Sequence, residues 1–495
     1  MKIFNAAQTK QWDNVTLERQ GILSLDLMER AAKACFDFIT NRFEGRNFYI
    51  FCGPGNNGGD GFELARLLIE ASFPTKIYSV WRETDSRSAD NTVTFNRLTS
   101  SGAFVDSFPS SSPIELSDKY VIIDAILGNG QNRPLAGVYK MAVDWINQQN
   151  QPVVSIDIPT GLYTRERSPD DSMVFADYTL TFESPKLAML LPEFEEVVGN
   201  WECISIGLDR SFEQEAPSEF VWVTEEEIAS DTIPRKRFSH KGTFGKAALF
   251  VGSYGMTGAA ILSAGAALRS GVGKLFVHTP GKCVDLVQMA VPEAIVRPDP
   301  NQLLMSHLPD DLTGFSAVGI GPGIGKETKT RELLNQLLDA AIPNLVLDAD
   351  ALNIIAEEGW LERIPEGAVL TPHLMEATRM WGFHASHYTR LMRIRDFVIR
   401  RNLIVVLKGA FTATLSPDGT IYFNSTGNVG LAKAGTGDVL TGMLTSLMAQ
   451  GYSPLAAAKR AVFIHGQTAD DLAKTRHFYS FLASDLVAEL GKGKI

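Results

Sequence analysis

Short apolar runs alternate along the chain with stretches of helical period. Residues 48–52, 76–81, 120–123 and 153–156 are blocks rich in Val, Ile, Tyr and Phe, the pattern of strands buried on both faces of a parallel sheet. Residues 9–41 carry Met28, Ala31, Ala32, Cys35 and Ile39 at helical spacing, an apolar stripe that predicts packing or an oligomer contact, and 62–71 predict a second helix. The pattern breaks at 210–218, where Glu213, Glu215 and Pro217 predict a linker. Beyond it, 247–251, 317–320, 345–347, 369–370 and 404–407 predict strands, Pro417-Asp418-Gly419 a hairpin turn and 439–444 the start of a helix. Strands alternating with helices give an α/β fold class in each half. Nothing in the second half repeats the first.

Composition narrows the field. A chain of 495 residues exceeds one ordinary core, so two or more domains are expected. Apolar residues at 45% and charged ones at 21% describe a soluble globular protein. A net charge of −11 argues against a general nucleic-acid binder, and the basic cluster Arg390, Arg393, Arg395, Arg400 and Arg401 reads as one solvated helix face. Cys35, Cys52, Cys203 and Cys283 show no CxxC spacing, so neither a disulfide scaffold nor a zinc knuckle is expected. No segment reaches membrane-spanning length and no basic stretch leads into an apolar core at the start, which makes the cytoplasm the expected location, without membrane partners.

Candidate chemistry gathers where the strands end. The first is followed by Gly53-Pro54-Gly55-Asn56-Asn57-Gly58-Gly59-Asp60-Gly61, a glycine loop suited to cradling phosphate before the helix at 62. It contains a literal GxGxxG, yet the next strand ends in Arg82 and Glu83, which leaves the ribose-binding acid of a dinucleotide site poorly placed. Asn56, Asn57 and Asp60 offer more oxygen than a turn requires. Two further strands end in Asp124 and Asp157, with Gly128, Gly130 and Gly161 close behind. A lone Asp after a strand is usually a cap; three such ends point to one crevice.

This half resembles the NAD(P)H-hydrate epimerase family (YjeF N-terminal domains) over residues 1–215. The likeness rests on Asn56-Asn57-Gly58-Gly59-Asp60, Asp124-Ala125 with the run from Gly128 to Pro134, and Asp157-Ile158-Pro159-Thr160-Gly161. It implies a Rossmann-like three-layer domain in which substrate meets Asn56, Asn57, Gly58, Gly59, Asp60, Gly128, Asn129, Gly130, Gln131, Asn132, Arg133, Pro134, Tyr139 and Asp157. It also implies a potassium ion on Asn57, Asp124 and Thr160, with Asp157 as the acid–base; Lys186 falls at a family position too. Asn129 stands where Thr is common, and Thr160 where Ser is common.

In the second half, residues 424–438 pack Gly427, Gly430, Gly435 and Gly437 ahead of Asp438 and an amphipathic run. Converging backbone N–H groups and a helix N-terminus make an anion site. A carboxylate there would repel phosphate, unless it takes a proton from an attacking hydroxyl; the alternative is an N-cap. Phe238-Ser239-His240-Lys241-Gly242 reads as a polyphosphate clamp or as plain surface charge.

Over 225–495 this half resembles the ADP-dependent NAD(P)H-hydrate dehydratases, of ribokinase-like fold. The residues that carry the likeness are Gly435-Thr436-Gly437-Asp438-Val439-Leu440-Thr441-Gly442, Ser239-His240-Lys241-Gly242, Gly321-Pro322-Gly323 and Lys408-Gly409. The resemblance implies hydrate contacts at Ala260, Gly323, His373 and Asp438, nucleotide contacts at Lys408, Gly409, Ala410, Phe411, Thr412 and Gly437, and Asp438 as catalytic base. Where the family has His-Pro-Gly-Glu, this chain has His373-Leu374-Met375-Glu376.

Together the resemblances imply a bifunctional enzyme, expected as a homo-oligomer. It would exchange the R and S epimers of NADHX and NADPHX, and dehydrate the S form to NAD(P)H with ADP, releasing AMP and phosphate. Potassium and magnesium are the implied cations. A vitamin or sugar kinase, an ordinary dehydrogenase and a turnover-free binding module are the rivals.

Overall fold

The computed structural model of the protein describes residues 1–492 apart from 111–113, 115, 116, 118, 166–171, 310, 341 and 343. The chain divides into two compact units, Met1–Phe220 and Val221–Ile495.

In the first unit the strands Val105–Ser107, Thr75–Ser79, Asn47–Cys52, Tyr120–Ala125, Val153–Ile156, Tyr178–Phe182 and Asn200–Ile204 lie side by side in that order, all parallel. Both faces are covered, as the apolar runs predicted. Phe48, Ile50 and Cys52 pack with Ala32, Cys35 and Ile39 of the helix Ser24–Arg42 and Phe62 of the helix Asn56–Glu70. Tyr49 and Phe51 turn the other way, towards Ala142, Val143 and Ile146 of the helix Val138–Asn147. The order of strands reverses between Asn47–Cys52 and Tyr120–Ala125, where open α/β sheets open a crevice at their carboxyl ends.

Three local expectations change. Residues 9–41 are two helices, Ala6–Gln20 and Ser24–Arg42, parted at Gly21, whose φ of 64° ends the first. The stretch 210–218 is not a plain linker, because Arg210–Glu215 is helical. Asp209 caps it through Phe212 N at 3.0 Å, and the Phe212 ring packs on Phe4 and Trp12. Third, the glycine-rich stretch after the first strand is helix from Asn56 onwards, with Gly55 as its cap. None of Gly53, Gly55, Gly58, Gly59 or Gly61 has a positive φ. All but Gly55 are small because the helix lies tight against its surroundings: a Cβ on Gly58 would overlap the Gly53 carbonyl, and one on Gly61 would stand 2.6 Å from Ala125 Cβ.

The second unit is built on the order Ile421–Asn424, Ala413–Leu415, Ile404–Leu407, Val369–Leu370, Leu345–Leu347, Ala317–Ile320, Lys246–Phe250, Lys274–Pro280 and Ile295–Asp299. It is parallel from Ile404–Leu407 onwards, with the hairpin at 417–419 supplying two antiparallel strands. The helix Thr436–Ala449 runs through the core with twelve residues buried. It lies so close to the helix Thr257–Arg269 that a Cβ on Gly442 would overlap the Ser263 carbonyl. Among the described residues no helix is long and apolar enough to cross a membrane.

Candidate active sites

The crevice of the first unit forms at the switch in strand order. Asp124, the penultimate residue of its strand, is wholly buried. Its carboxylate accepts from Ile126 N at 3.2 Å, Ser155 Oγ at 2.8 Å, Thr160 N at 2.8 Å and Thr160 Oγ1 at 2.7 Å. Burial pushes its carboxyl up from the ordinary range, and no cation among the described residues pairs with it. Across from it, Asn57 is 7% exposed on the first turn of its helix, and neither its Oδ1 nor its Nδ2 has a partner. A buried amide left unsatisfied is costly and calls for a ligand.

Asp157 stands between these groups in the left-handed region, φ 66°, a conformation that costs a non-glycine residue about 1–3 kcal/mol. It accepts from Asn129 N at 3.2 Å and faces Lys186 Nζ at 3.2 Å. Lys186 is 2% exposed and also donates to Thr181 Oγ1 at 2.9 Å. Asp60 joins them, its carboxyl pushed well up by burial and then by Asp157, Asp13 and Asp90. Asn56, Gly130, Asn132, Arg133 and Pro134 are exposed at the rim, with Gly59 packed against Met28. Gly128 fits closely: a Cβ there would lie 3.2 Å from Asn57 Cβ and 3.3 Å from Asp157 Oδ2. Gln131 accepts from Gly161 N at 3.0 Å, whereas the Tyr139 hydroxyl is committed to Asp85 at 2.7 Å.

In the second unit, carboxyl ends of neighbouring strands meet the N-terminus of the helix Thr436–Ala449. Gly435, with φ 92°, caps that helix, so Asp438 lies within the first turn and is not the N-cap. Lys408, at the end of Ile404–Leu407, donates to Asp348 Oδ1 at 2.9 Å. Thr441 Oγ1 donates to Asp348 Oδ2 at 2.7 Å, and Asp348 is 1% exposed. Gly437 leaves the pair open from above, since a Cβ would stand 3.5 Å from Lys408 Nζ. Asp438 is half-buried beside them. Burial, then Asp348, raise its carboxyl to about 7, with Lys408 opposing and Asp350 adding to the rise.

Residues 409–412 turn at this edge, held by Thr412 Oγ1 donating to Gly409 O at 3.1 Å; Gly409 and Ala410 are exposed, and Phe411 packs on Trp222. Ala260 and Gly323 flank the Met256 turn. Ala260 Cβ lies 3.0 Å from where a Gly252 Cβ would be, and a Gly323 Cβ would lie 3.1 Å from Met256 O. His373 caps the helix Leu374–Trp381, its Nδ1 accepting from Met375 N at 3.1 Å and Glu376 N at 3.2 Å. Burial and the Lys408 charge lower its pKa, which leaves a neutral ring with Nε2 3.4 Å from Glu376. Losing Pro and Gly therefore still gives a capped helix.

Of the two readings of the motif at Lys241, surface charge is the one that fits. Lys241 is exposed at the amino end of the strand Lys246–Phe250, the opposite edge from Asp438. A Cβ on Gly245 would overlap the Ala449 carbonyl, so this motif neighbours the far end of the fourteen-residue helix from Asp438, about 17 Å along its axis. Within one chain it is no clamp for this crevice.

Residues 247–492 match the family model described as NAD(P)H-hydrate dehydratase, and residues 24–188 that described as YjeF-related protein N-terminus. Over 510 residues the chain is 31% identical to the bifunctional NAD(P)H-hydrate repair enzyme of Moorella thermoacetica, covering 98% of this chain and 95% of that one. The chain belongs to the bifunctional NAD(P)H-hydrate repair enzymes. A ribokinase-like superfamily protein from Enterococcus faecalis shares the fold at a TM-score of 0.51 and 26% identity, over 56% of this chain and 96% of that one. The ADP/ATP-dependent NAD(P)H-hydrate dehydratase of Bacillus subtilis, co-crystallised with ATP and Mg2+, is 31% identical over 55% of this chain and 96% of its own, with a TM-score of 0.47.

Sequence reasoning about this NAD(P)H-hydrate repair enzyme gave no role to three residues that the fold brings to the crevices. Asp13, on a helix read only as packing, has its carboxyl raised to about 6 by burial and then by Asp157. Asn91 is wholly buried and donates to the Gly53 and Gly55 carbonyls at 3.0 and 2.9 Å, which pins the glycine turn. Thr441 lies inside the Asp438 helix and holds Asp348. No local pattern marks Asp13 or Asn91. Thr441, three residues after Asp438, was visible as the next position on the same helix face.

Proposed function

We propose that the segment 1–215 of this repair enzyme exchanges the epimers of NADHX and NADPHX, and that 225–495 dehydrates the S epimer with ADP. The observation that carries the second assignment is Asp438. A carboxyl raised to about 7, on the first turn of a helix and beside a lysine, suits a base that must hold a proton briefly at neutral pH. Asp438 takes the proton of the added hydroxyl as its oxygen attacks the β-phosphorus of ADP, and AMP departs. The phosphate ester then leaves as phosphate while a ring proton is lost, and the double bond of the dihydropyridine returns. Phosphorylation matters because hydroxide is a poor leaving group.

Lys408, Gly409, Ala410, Phe411, Thr412 and Gly437 hold the nucleotide. The N–H groups at the start of the Asp438 helix stabilise charge on the moving phosphoryl, where one donor is worth about 10²–10³ in rate. Ala260, Gly323 and His373 orient the hydrate, with Asp348 positioning Lys408 from below. Mg2+ supplies charge neutralisation when bound with the diphosphate. The described residues contain no group of three or more His, Cys, Asp or Glu that could hold a metal.

In the first crevice the donor set fits a potassium ion. Asn57 has an orphaned amide oxygen, Asp124 is a buried anion without a counter-charge, and Thr160 adds a hydroxyl. Hard oxygen donors suit such a hard cation, which supplies the missing positive charge near the substrate. Asp157, held by Lys186, moves the proton at the reacting carbon, and Asn56, Asp60 and the 128–134 loop with Tyr139 at its edge bind the nucleotide portion.

The deciding experiment incubates mixed NADHX epimers with the protein and ADP and follows both by chromatography. Loss of both epimers with NADH, AMP and free phosphate appearing is the expected result. A stable phosphoester would make the second unit a kinase, and hydride transfer without ADP would make the chain a dehydrogenase.

A further inference from the structure

At the end of the helix Thr436–Ala449 remote from Asp438, the second unit contains a cavity of about 270 Å³. Met443 and Leu447 form part of its wall, and Arg235, Arg269 and Arg460 line it. Arg460 decides its character. It is only 5% exposed, and its Nη1 donates to the Ile228 carbonyl and to Thr232 Oγ1, each at 2.9 Å. Arg235 donates to the Gly271 carbonyl and Gln450 Oε1, both at 2.7 Å, with its guanidinium 4.0 Å over the Phe244 ring. No carboxylate among the described residues pairs with any of the three arginines. Ser270, also in the wall, has a buried hydroxyl without a partner.

Helix ends explain part of this charge. The carboxyl ends of Glu225–Ser230, Thr257–Arg269 and Thr436–Ala449 all come to this place. Each contributes at most about −0.5 of a charge, which leaves the three guanidiniums in excess; of these only Arg460 is buried, Arg235 and Arg269 being exposed. A buried charge without a counter-ion is unfavourable, and a phosphate monoester carries about −1.5 to −2 at pH 7. Arginine's planar fork suits phosphate oxygens, while Met443, Leu447 and Phe244 offer apolar surface beside them.

We propose that this cavity is a second ligand site, separate from the crevice at Asp438, for a small phosphate monoester with a compact apolar or aromatic body. Calorimetric titration of the full chain with phenyl phosphate tests it, with inorganic phosphate and phenol as the two partial probes. One saturable site per chain is expected, with inorganic phosphate weaker and phenol not binding. Arg269→Ala, an exposed change, should weaken phenyl phosphate about tenfold and leave the rate of NADHX dehydration unchanged. Arg460→Gln should weaken it further wherever the variant folds. Lys408→Ala, in the other crevice, should leave phenyl phosphate binding intact. No saturation at millimolar concentrations, equal affinity in Arg269→Ala, or loss of binding in Lys408→Ala would each overturn the proposal.

Discussion

Asp438 is held where its anion is disfavoured. Its carboxyl is raised to about 7 by burial and by Asp348 and Asp350, against the pull of Lys408. A base works only when ionised, so kcat/KM for dehydration should climb with pH up to about 7 and level off above; a profile flat from pH 5 to 8 would remove Asp438 from that role. Asp438→Asn should lower ADP-dependent NADH recovery by about 10²–10⁴ while epimer exchange continues. The same shift has a sign for stability. A raised folded value favours the fold at low pH, and that benefit is lost as pH rises through about 7. The thermal stability gained by Asp438→Asn should therefore be larger at pH 8 than at pH 5, measured by calorimetry at both. In the other crevice, the proposed ion site at the unpartnered Asn57 amide and the uncompensated Asp124 predicts that epimer exchange depends on K+. Replacing K+ with Li+ at constant ionic strength should slow exchange, and unchanged rates would sink the ion assignment.

At the scale of elements, the strands that carry the sites were legible because each is a short apolar run whose polar end falls where a parallel strand must end, whereas Val105–Ser107, Tyr178–Phe182, Asn200–Ile204, Lys274–Pro280 and Ile295–Asp299 were not read as strands. The helix starts were not. Asn56 to Gly61 looks like a loop because glycine usually marks conformational freedom, yet here it marks contact. The linker reading of 210–218 failed for the opposite reason: acids and Pro217 masked a cap at Asp209 and an anchor at Phe212. The contact reading separates two neighbouring glycines. Gly58→Ala would drive a methyl into the Gly53 carbonyl, whereas a Cβ on Gly55 meets nothing within 4 Å. Urea unfolding should show Gly58→Ala losing about 3 kcal/mol and Gly55→Ala under about 1 kcal/mol. Similar losses for both would mean that the helix is not seated as described.

For the whole molecule, two sheets with separate cores carry two separate constellations. Asp157→Asn should abolish enzymatic epimer exchange and leave ADP-dependent dehydration of the S epimer at the parental rate; loss of both activities in a folded variant would contradict the division of labour. Motif and spacing made each crevice visible on its own strands. What stayed hidden came from elsewhere in the chain, as with Asp13, which reaches the Asp157 group from a helix more than a hundred residues earlier, because tertiary proximity leaves no trace in local pattern. The same limit left Lys241 undecided between phosphate clamp and surface charge, and the fold puts it at the opposite edge of its sheet.

The burial of the helix Thr436–Ala449 has a practical corollary. With twelve of its fourteen residues inside the protein, the proposed base Asp438 is mounted on a structural beam and not on a flap. Heat cannot detach it gradually, so dehydration should survive unchanged until melting of that half begins and then vanish with it. Anyone seeking a hardier version would do best to reinforce the scaffold and leave the business end untouched.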